Sequence, residues 1–173
     1  SPLLTPAAKS DKCRPAVLDD TKHAYLHFRN FFNNISNSIE NLCLRYKKIK
    51  AIIIVHFSGT TINLDNINKL KRKYKFKLIE DAAHAFGSKY KSSFVGQNSD
   101  LCVFSFYSTK PLATGEGGLI TSNNLKYIKI IKKLTFHGIN KNVYDRYNST
   151  KPKWYYDIQY PGFKYNFTDI QAI

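Results

Sequence analysis

Apolar positions along this chain follow two alternating periods. Ala51-Ile52-Ile53-Ile54-Val55 is a continuous, β-branched run of the kind that fills a strand buried on both faces. Before it, Ile39, Leu42 and Tyr46 recur at helical spacing, predicting a helix from Ser36 or Ser38 to Lys48. After it, His56 to Thr60 reads as a loop. Asn63 or Asp65 then caps a helix that runs to about Tyr74, with Ile67, Leu70 and Tyr74 on one side. Phe76–Glu80 and Leu101–Phe106 are two further strands, with a loop or helical turn over Asp81–Gly87. A fourth strand, Leu119–Thr121, is entered through Gly115-Glu116-Gly117-Gly118, and Asn123 starts a helix running to Leu134. Residues 1–30 show no clear period and are interrupted by Pro2, Pro6 and Pro15. Strands alternating with helices in this order predict an α/β fold with a largely parallel sheet.

Composition narrows the class. The chain has 173 residues, 43% of them hydrophobic and 23% charged, which is globular rather than disordered composition. The longest apolar run is strand-sized, and the N-terminus lacks the basic start and long apolar stretch of a secretory signal. Three cysteines (Cys13, Cys43, Cys102) without a CxxC pair make neither a disulfide framework nor a zinc site. A soluble, cytoplasmic protein is expected. There is no methionine, and the last residues, Thr168 to Ile173, read as the start of a helix. The chain is therefore expected to be a piece of something longer.

The formal charge of +15 raises the question of nucleic acid. Its basic clusters are Arg45–Lys50, Lys69–Lys77 and Lys126–Lys133, with aromatics interleaved. Most of the charge is lysine, however, whereas phosphate and base edges favour the arginine fork. Two of the clusters also carry helical apolar spacing, so their lysines read as solvated outer faces. Nucleic-acid binding is thus not expected, and a basic nucleic-acid-binding module stands as an alternative.

Two groups of reactive residues lie at the carboxyl ends of consecutive predicted strands, where open α/β sheets place ligands. One is Glu80-Asp81-Ala82-Ala83-His84. The other is Phe104-Ser105-Phe106-Tyr107-Ser108-Thr109-Lys110, followed by the glycine-rich entry to the next strand. Neither contains a dinucleotide fingerprint or a Walker loop. An aspartate after one strand and a lysine with hydroxyls after the next suit pyridoxal phosphate. The amine condenses with its aldehyde, and a carboxylate keeps the pyridine nitrogen protonated so that the ring accepts electrons. Each residue also has a plainer reading: Asp81 as a helix cap, Lys110 as a surface lysine, His84 as a satisfied core histidine, and the glycines as a turn.

EDAAHAFGSKY, Val95-Gly96 and FSFYSTKPLATGEGGLITSNN together resemble the DegT/DnrJ/EryC1/StrS family of sugar aminotransferases. The resemblance runs from about Ser38 to Ile173 and includes KAIIIVHFSG, FHGI at 136–139 and PGFKYNFTDIQAI. It implies a three-layer α/β/α arrangement with a mostly parallel sheet, part of the large domain of the aspartate-aminotransferase fold (pyridoxal-phosphate fold type I). It implies pyridoxal 5'-phosphate as cofactor, with Lys110 as the covalent lysine and proton carrier. Asp81 would pair with the pyridine nitrogen, His84 would contact the ring hydroxyl, and Ser105 would hold the phosphate. Asn166 matches an asparagine that reaches the phosphate of the neighbouring subunit's cofactor, which implies a homodimer with shared sites. Lys164 and Tyr165 beside it are weaker candidates. The stretch from Phe136 to Asn166 looks most like members that aminate the 4-position of nucleotide-linked keto-sugars for surface polysaccharide or lipid A, with glutamate as the amino donor.

Family members are longer. The resemblance therefore implies that residues 31–173 are part of the cofactor-binding large domain, truncated at both ends, with residues 1–30 a poorly matched segment. The phosphate-binding glycine and threonine segment and the aromatic that stacks on the ring would lie upstream, and the small C-terminal domain downstream. A truncated, inactive remnant of such an enzyme is the alternative to an active piece.

Overall fold

A computed structural model describes residues 16–17, 24–29, 35–46, 48–139 and 157–172, the first two segments by their backbone alone. In chain order the elements are β1 (Ala16–Val17), β2 (Ala24–Arg29), α1 (Ile35–Arg45), β3 (Ile49–Val55), α2 (Leu64–Tyr74) and β4 (Lys77–Asp81). There follow β5 (Lys89–Tyr90), β6 (Ser93–Phe94), β7 (Leu101–Ser105), β8 (Gly118–Thr121), α3 (Leu125–Leu134) and α4 (Asp169–Ala172). The main sheet has six strands in the order β1-β2-β3-β4-β7-β8. Its four central strands run parallel, and β1 and β8 are antiparallel edges.

Burial follows the alternation of side chains across the sheet. Ile52 and Ile54 of β3 are in register with Leu78 and Glu80 of β4, so these four lie on one face. That face is covered by α1 through Ile39 and Cys43, and by α2 through Ile67 and Leu70, in one core with Phe76. Glu40 of α1 ties the two helices together by accepting from Lys73 Nζ at 2.7 Å and Tyr74 Oη at 3.2 Å. The other face is less covered. Ile53, Ile79 and Leu101 are half-buried, and Val103 and Ile120 are 39% and 37% exposed. There Ile131 and Thr135, at the end of α3, line a cleft with Val103 and Ile120.

Local signals explain the helix ends. Asn63 caps α2 by accepting from Asn66 N, and Lys75 closes the helix in the left-handed region with its N–H on Lys71 O. Asn124, rather than Asn123, caps α3 by accepting from Lys126 N at 2.9 Å. Asn123 is engaged elsewhere, donating its amide to Gln97 O at 2.6 Å. The basic faces behave as their spacing predicts: Lys69, Arg72 and Lys73 on α2, and Lys126, Lys129 and Lys132 on α3, are exposed.

Three features depart from the sequence pattern. Residues 16–29, which carry no clear period, supply two strands, and β2 pairs with β3 along its whole length. Residues 89–94 form a small hairpin turning at Lys91, which takes φ 55°. β4 ends at Asp81 rather than Glu80, so Asp81 is itself a ladder residue, level with Val55 and Val103. Cys13 and residues 140–156, part of the stretch read for the amination position, lie outside the described residues.

Candidate cofactor site

β3, β4 and β7 are parallel neighbours, so their carboxyl ends open on the same edge of the sheet. Asp81 is the last residue of β4 and is partly buried. Its carbonyl accepts from His56 N at 2.9 Å, and the next amide, Ala82 N, donates to Val103 O at 2.8 Å. Its carboxylate is drawn back over the chain, with Oδ1 accepting from Ala83 N at 3.1 Å. This is an Asx turn rather than a helix cap, because no helix follows β4, and it fixes the carboxylate at the strand end.

The chain then makes two consecutive turns, Ala85 N to Ala82 O and Ser88 N to Ala85 O. They carry the half-buried His84, whose Nδ1 accepts from Ser58 N at 3.4 Å. The Phe57 ring meets the His84 ring edge-on at 5.9 Å between centroids. His84 is therefore not a core histidine but one held at the rim by the loop that follows β3.

On the neighbouring strand Ser105 ends β7, its Oγ accepting from Tyr107 N at 3.4 Å. Lys110 follows in a turn closed by Lys110 N to Tyr107 O at 2.9 Å, and it is half-buried rather than a free surface lysine. The loop returns to β8 through Thr114 N to Phe106 O and Phe106 N to Gly117 O, both 2.9 Å. Glycine is required at 117. Its φ is 143°, and a Cβ there would stand 2.5 Å from the Phe167 ring.

Asp81, His84, Ser105 and Lys110 thus share the carboxyl edge of two adjacent strands. Asn166 comes from a separate segment, just before α4. It is exposed and lines the cleft over β7 and β8 with Glu116, Gly117, Phe167 and its neighbours Lys164 and Tyr165. That segment is strapped down by Tyr165 N to Thr135 O and by Gln171 Nε2 to Glu116 O. The set at the strand ends fits pyridoxal phosphate by its chemistry. A carboxylate can meet a pyridine nitrogen, an imidazole a ring hydroxyl, an amine an aldehyde, and a hydroxyl beside main-chain amides a phosphate. Among the described residues no group of three or more His, Cys, Asp or Glu is placed to hold a metal ion.

Sequence reasoning placed Glu80 among the reactive residues but missed His56 and the pair they form behind this edge. His56 and Glu80 are 0% and 1% exposed, with Nε2 and Oε2 2.6 Å apart. Cys102 lies opposite Glu80 in register. Burial, then the carboxylates of Glu80 and Asp81, push its thiol far up, so it stays protonated and inert. Burial, aided by Glu40, likewise pushes Cys43 up to about 11.

The comparisons with known proteins bear on the fold and the family. Residues 30–173 match the DegT/DnrJ/EryC1/StrS aminotransferase family. A Methanocaldococcus jannaschii protein, MJ1066, is 42% identical over 162 residues, which cover 93% of this chain and 39% of that one. The UDP-4-amino-4,6-dideoxy-N-acetyl-beta-L-altrosamine transaminase of Campylobacter jejuni is 36% identical, covering 97% of this chain and 43% of the enzyme. Among solved structures, the PMP form of a Streptococcus pneumoniae sugar aminotransferase, Spr1654, superposes with TM-score 0.68 at 30% identity. It covers 80% of this chain and 39% of its own. The chain spans about two fifths of the length of these relatives. No described helix is long and apolar enough to cross a membrane. A mostly parallel sheet and a family match to all but the first residues have one explanation: this chain belongs to the DegT/DnrJ/EryC1/StrS aminotransferase family.

Proposed function

We propose that this chain carries the lysine half of a pyridoxal-phosphate site that transaminates a nucleotide-linked keto-sugar. In this reading a 4-keto-6-deoxy sugar receives nitrogen from glutamate, in the cytoplasm, for surface polysaccharide or lipid A-type amino-sugars. The observation that carries the reading is the placing of Asp81 and Lys110 after adjacent parallel strands in a chain of this family. The sugar transaminase names of relatives in Campylobacter jejuni and Shewanella sediminis support the substrate class.

When bound, pyridoxal phosphate supplies an electron sink that stabilises negative charge on the carbon being aminated. The side chains of this chain do the rest. Asp81, whose carboxylate is set at the strand end by accepting from the Ala83 amide, would keep a proton on the ring nitrogen. His84 orients the ring by its hydroxyl. Ser105, beside the main-chain amides of the 106–110 turn, binds the phosphate. Lys110 would be the residue that holds the cofactor covalently through its aldehyde, with loss of water, and, when displaced by the amino donor, the residue whose Nζ carries protons at the reacting carbon. Asn166, exposed on the segment before α4, would serve the neighbouring subunit's phosphate in a homodimer.

The test is covalent. The chain is incubated with pyridoxal phosphate, reduced with borohydride and mapped by mass spectrometry. A single adduct on Lys110, absent in Lys110→Ala, is expected. Labelling scattered over many lysines would instead identify an inactive remnant. Asp81→Asn should retain the cofactor yet lower kcat by at least a hundredfold, roughly 3 kcal/mol of transition-state stabilisation. Undiminished turnover in the same assay would remove the central assignment.

A further inference from the structure

His56 and Glu80 take no direct part in the site just described, yet they form its most deeply buried polar contact. Glu80 projects from β4 onto the face lined by Ile54, Leu78 and Cys102, where an apolar residue would pack without loss. The donors around the pair fix its protonation pattern. His56 Nδ1 accepts from Ile62 N at 3.3 Å, so the ring carries its proton on Nε2 and donates it to Glu80 Oε2 at 2.6 Å. Glu80 Oε1 has no hydrogen-bond partner among the described residues. A buried carboxylate half-satisfied in this way points to a task other than packing.

The task is visible in what the pair holds. Main-chain His56 N donates to Asp81 O, while the imidazole reaches ahead to Ile62 and across to Glu80. The loop from 56 to 62 is thereby pinned to β4 at His56 and closed on the His56 ring at Ile62. Between these points its backbone is strained, with Ser58 at φ 52° and Gly59 at φ 78°. A Cβ on Gly59 would stand 3.2 Å from His84 O, and Ser58 N donates to His84 Nδ1.

We propose that His56 and Glu80 are positioning residues that clamp the 56–62 loop onto β4, orienting Asp81 and locking His84 as its Nε2–H tautomer. The part of this that concerns the cofactor rests on the function proposed above. The locked tautomer makes His84 a hydrogen-bond donor, the polarity that an oxyanion on the cofactor ring requires.

Nitrogen NMR of the histidine-labelled chain tests the clamp without any cofactor. In the wild-type chain at neutral pH both His56 and His84 should show a protonated Nε2 and an accepting Nδ1. A proton on Nδ1 of either ring would overturn the proposal. Glu80→Gln, whose carbonyl still accepts from Nε2–H, should preserve both patterns. Glu80→Leu should collapse that of His84 into a tautomer mixture and weaken pyridoxal phosphate binding on the order of tenfold, the scale on which outer hydrogen bonds tune the groups they orient. An unchanged His84 spectrum and unchanged affinity in Glu80→Leu would also overturn it. If Glu80→Leu fails to fold, the wild-type tautomers and Glu80→Gln still decide. A wild-type chain with both tautomers in place but no Lys110 adduct would defeat the cofactor reading and support the clamp.

Discussion

The end of β4 and the end of β7 are neighbours in one sheet, yet they are held in different ways. After β4, Asp81 and His84 are fastened from below by a buried pair and from the side by a strained loop. After β7, Ser105 and Lys110 depend on turn hydrogen bonds, with Tyr107 and Leu112 exposed beside them. The difference matches the work proposed for each. A carboxylate and an imidazole that only orient a ring gain from being fixed. An amine that must bond, release and carry protons needs room to move.

Substitutions can break that contrast. Lys110→Ala should remove all site-specific labelling while leaving urea stability within about 0.5 kcal/mol, as for a residue outside the core. A large loss of stability would show that the β7 end is as tightly built as the β4 end. His56→Ala should cost about 3–5 kcal/mol in the same denaturation experiment, because it strands the buried Glu80 carboxylate. A cost near zero would mean that the clamp is slack. Gly59→Ala should lose about 2 kcal/mol through its left-handed φ and the crowding of His84 O. The opposite, amino-terminal end of the same strands gives the smallest effect. Burial opposes the charge on Asp100, but Lys71, Leu78 N–H and Lys77 outweigh it and hold the carboxyl below the usual aspartate range. This stabilisation is complete above the unfolded value of about 3.9 and is lost as pH falls through the lowered native value. Asp100→Asn should therefore flatten the acid limb of the stability profile by about 1 kcal/mol.

Much of the fold is legible in the pattern of residues, because local rules decide it. The β-branched run of β3, the Asn63 cap and the helical spacing of α2 each act over a few positions and agree with one another. Where rules compete, the pattern misleads. Either Asn123 or Asn124 could start α3, and the choice falls to Gln97 O, which engages the first. The turn of the β5–β6 hairpin puts Lys91 in a conformation that sequences usually mark with Asn or Gly. β2 gains its register from β3 across the sheet, a pairing that no short window contains. The site divides in the same way. Asp81 and Lys110 are found because strand ends in α/β sheets carry chemistry. His56 and Glu80 are 24 residues apart and meet only when β3 and β4 lie side by side.

The antiparallel edge has a consequence for the order in which the site forms. β2, β3, β4 and β7 can pair only after long crossovers close, and such contacts are slow to make. β8 turns straight back on β7, so Ser105 meets Gly118 within a single hairpin that encloses Lys110. The lysine loop can close early and wait, whereas the Asp81 and His84 corner assembles only when the parallel core docks. Pulse-labelled hydrogen exchange during refolding should then protect the amides of Phe104 and Leu119 before those of Ile54 and Glu80, and the reverse order would refute this sequence of events.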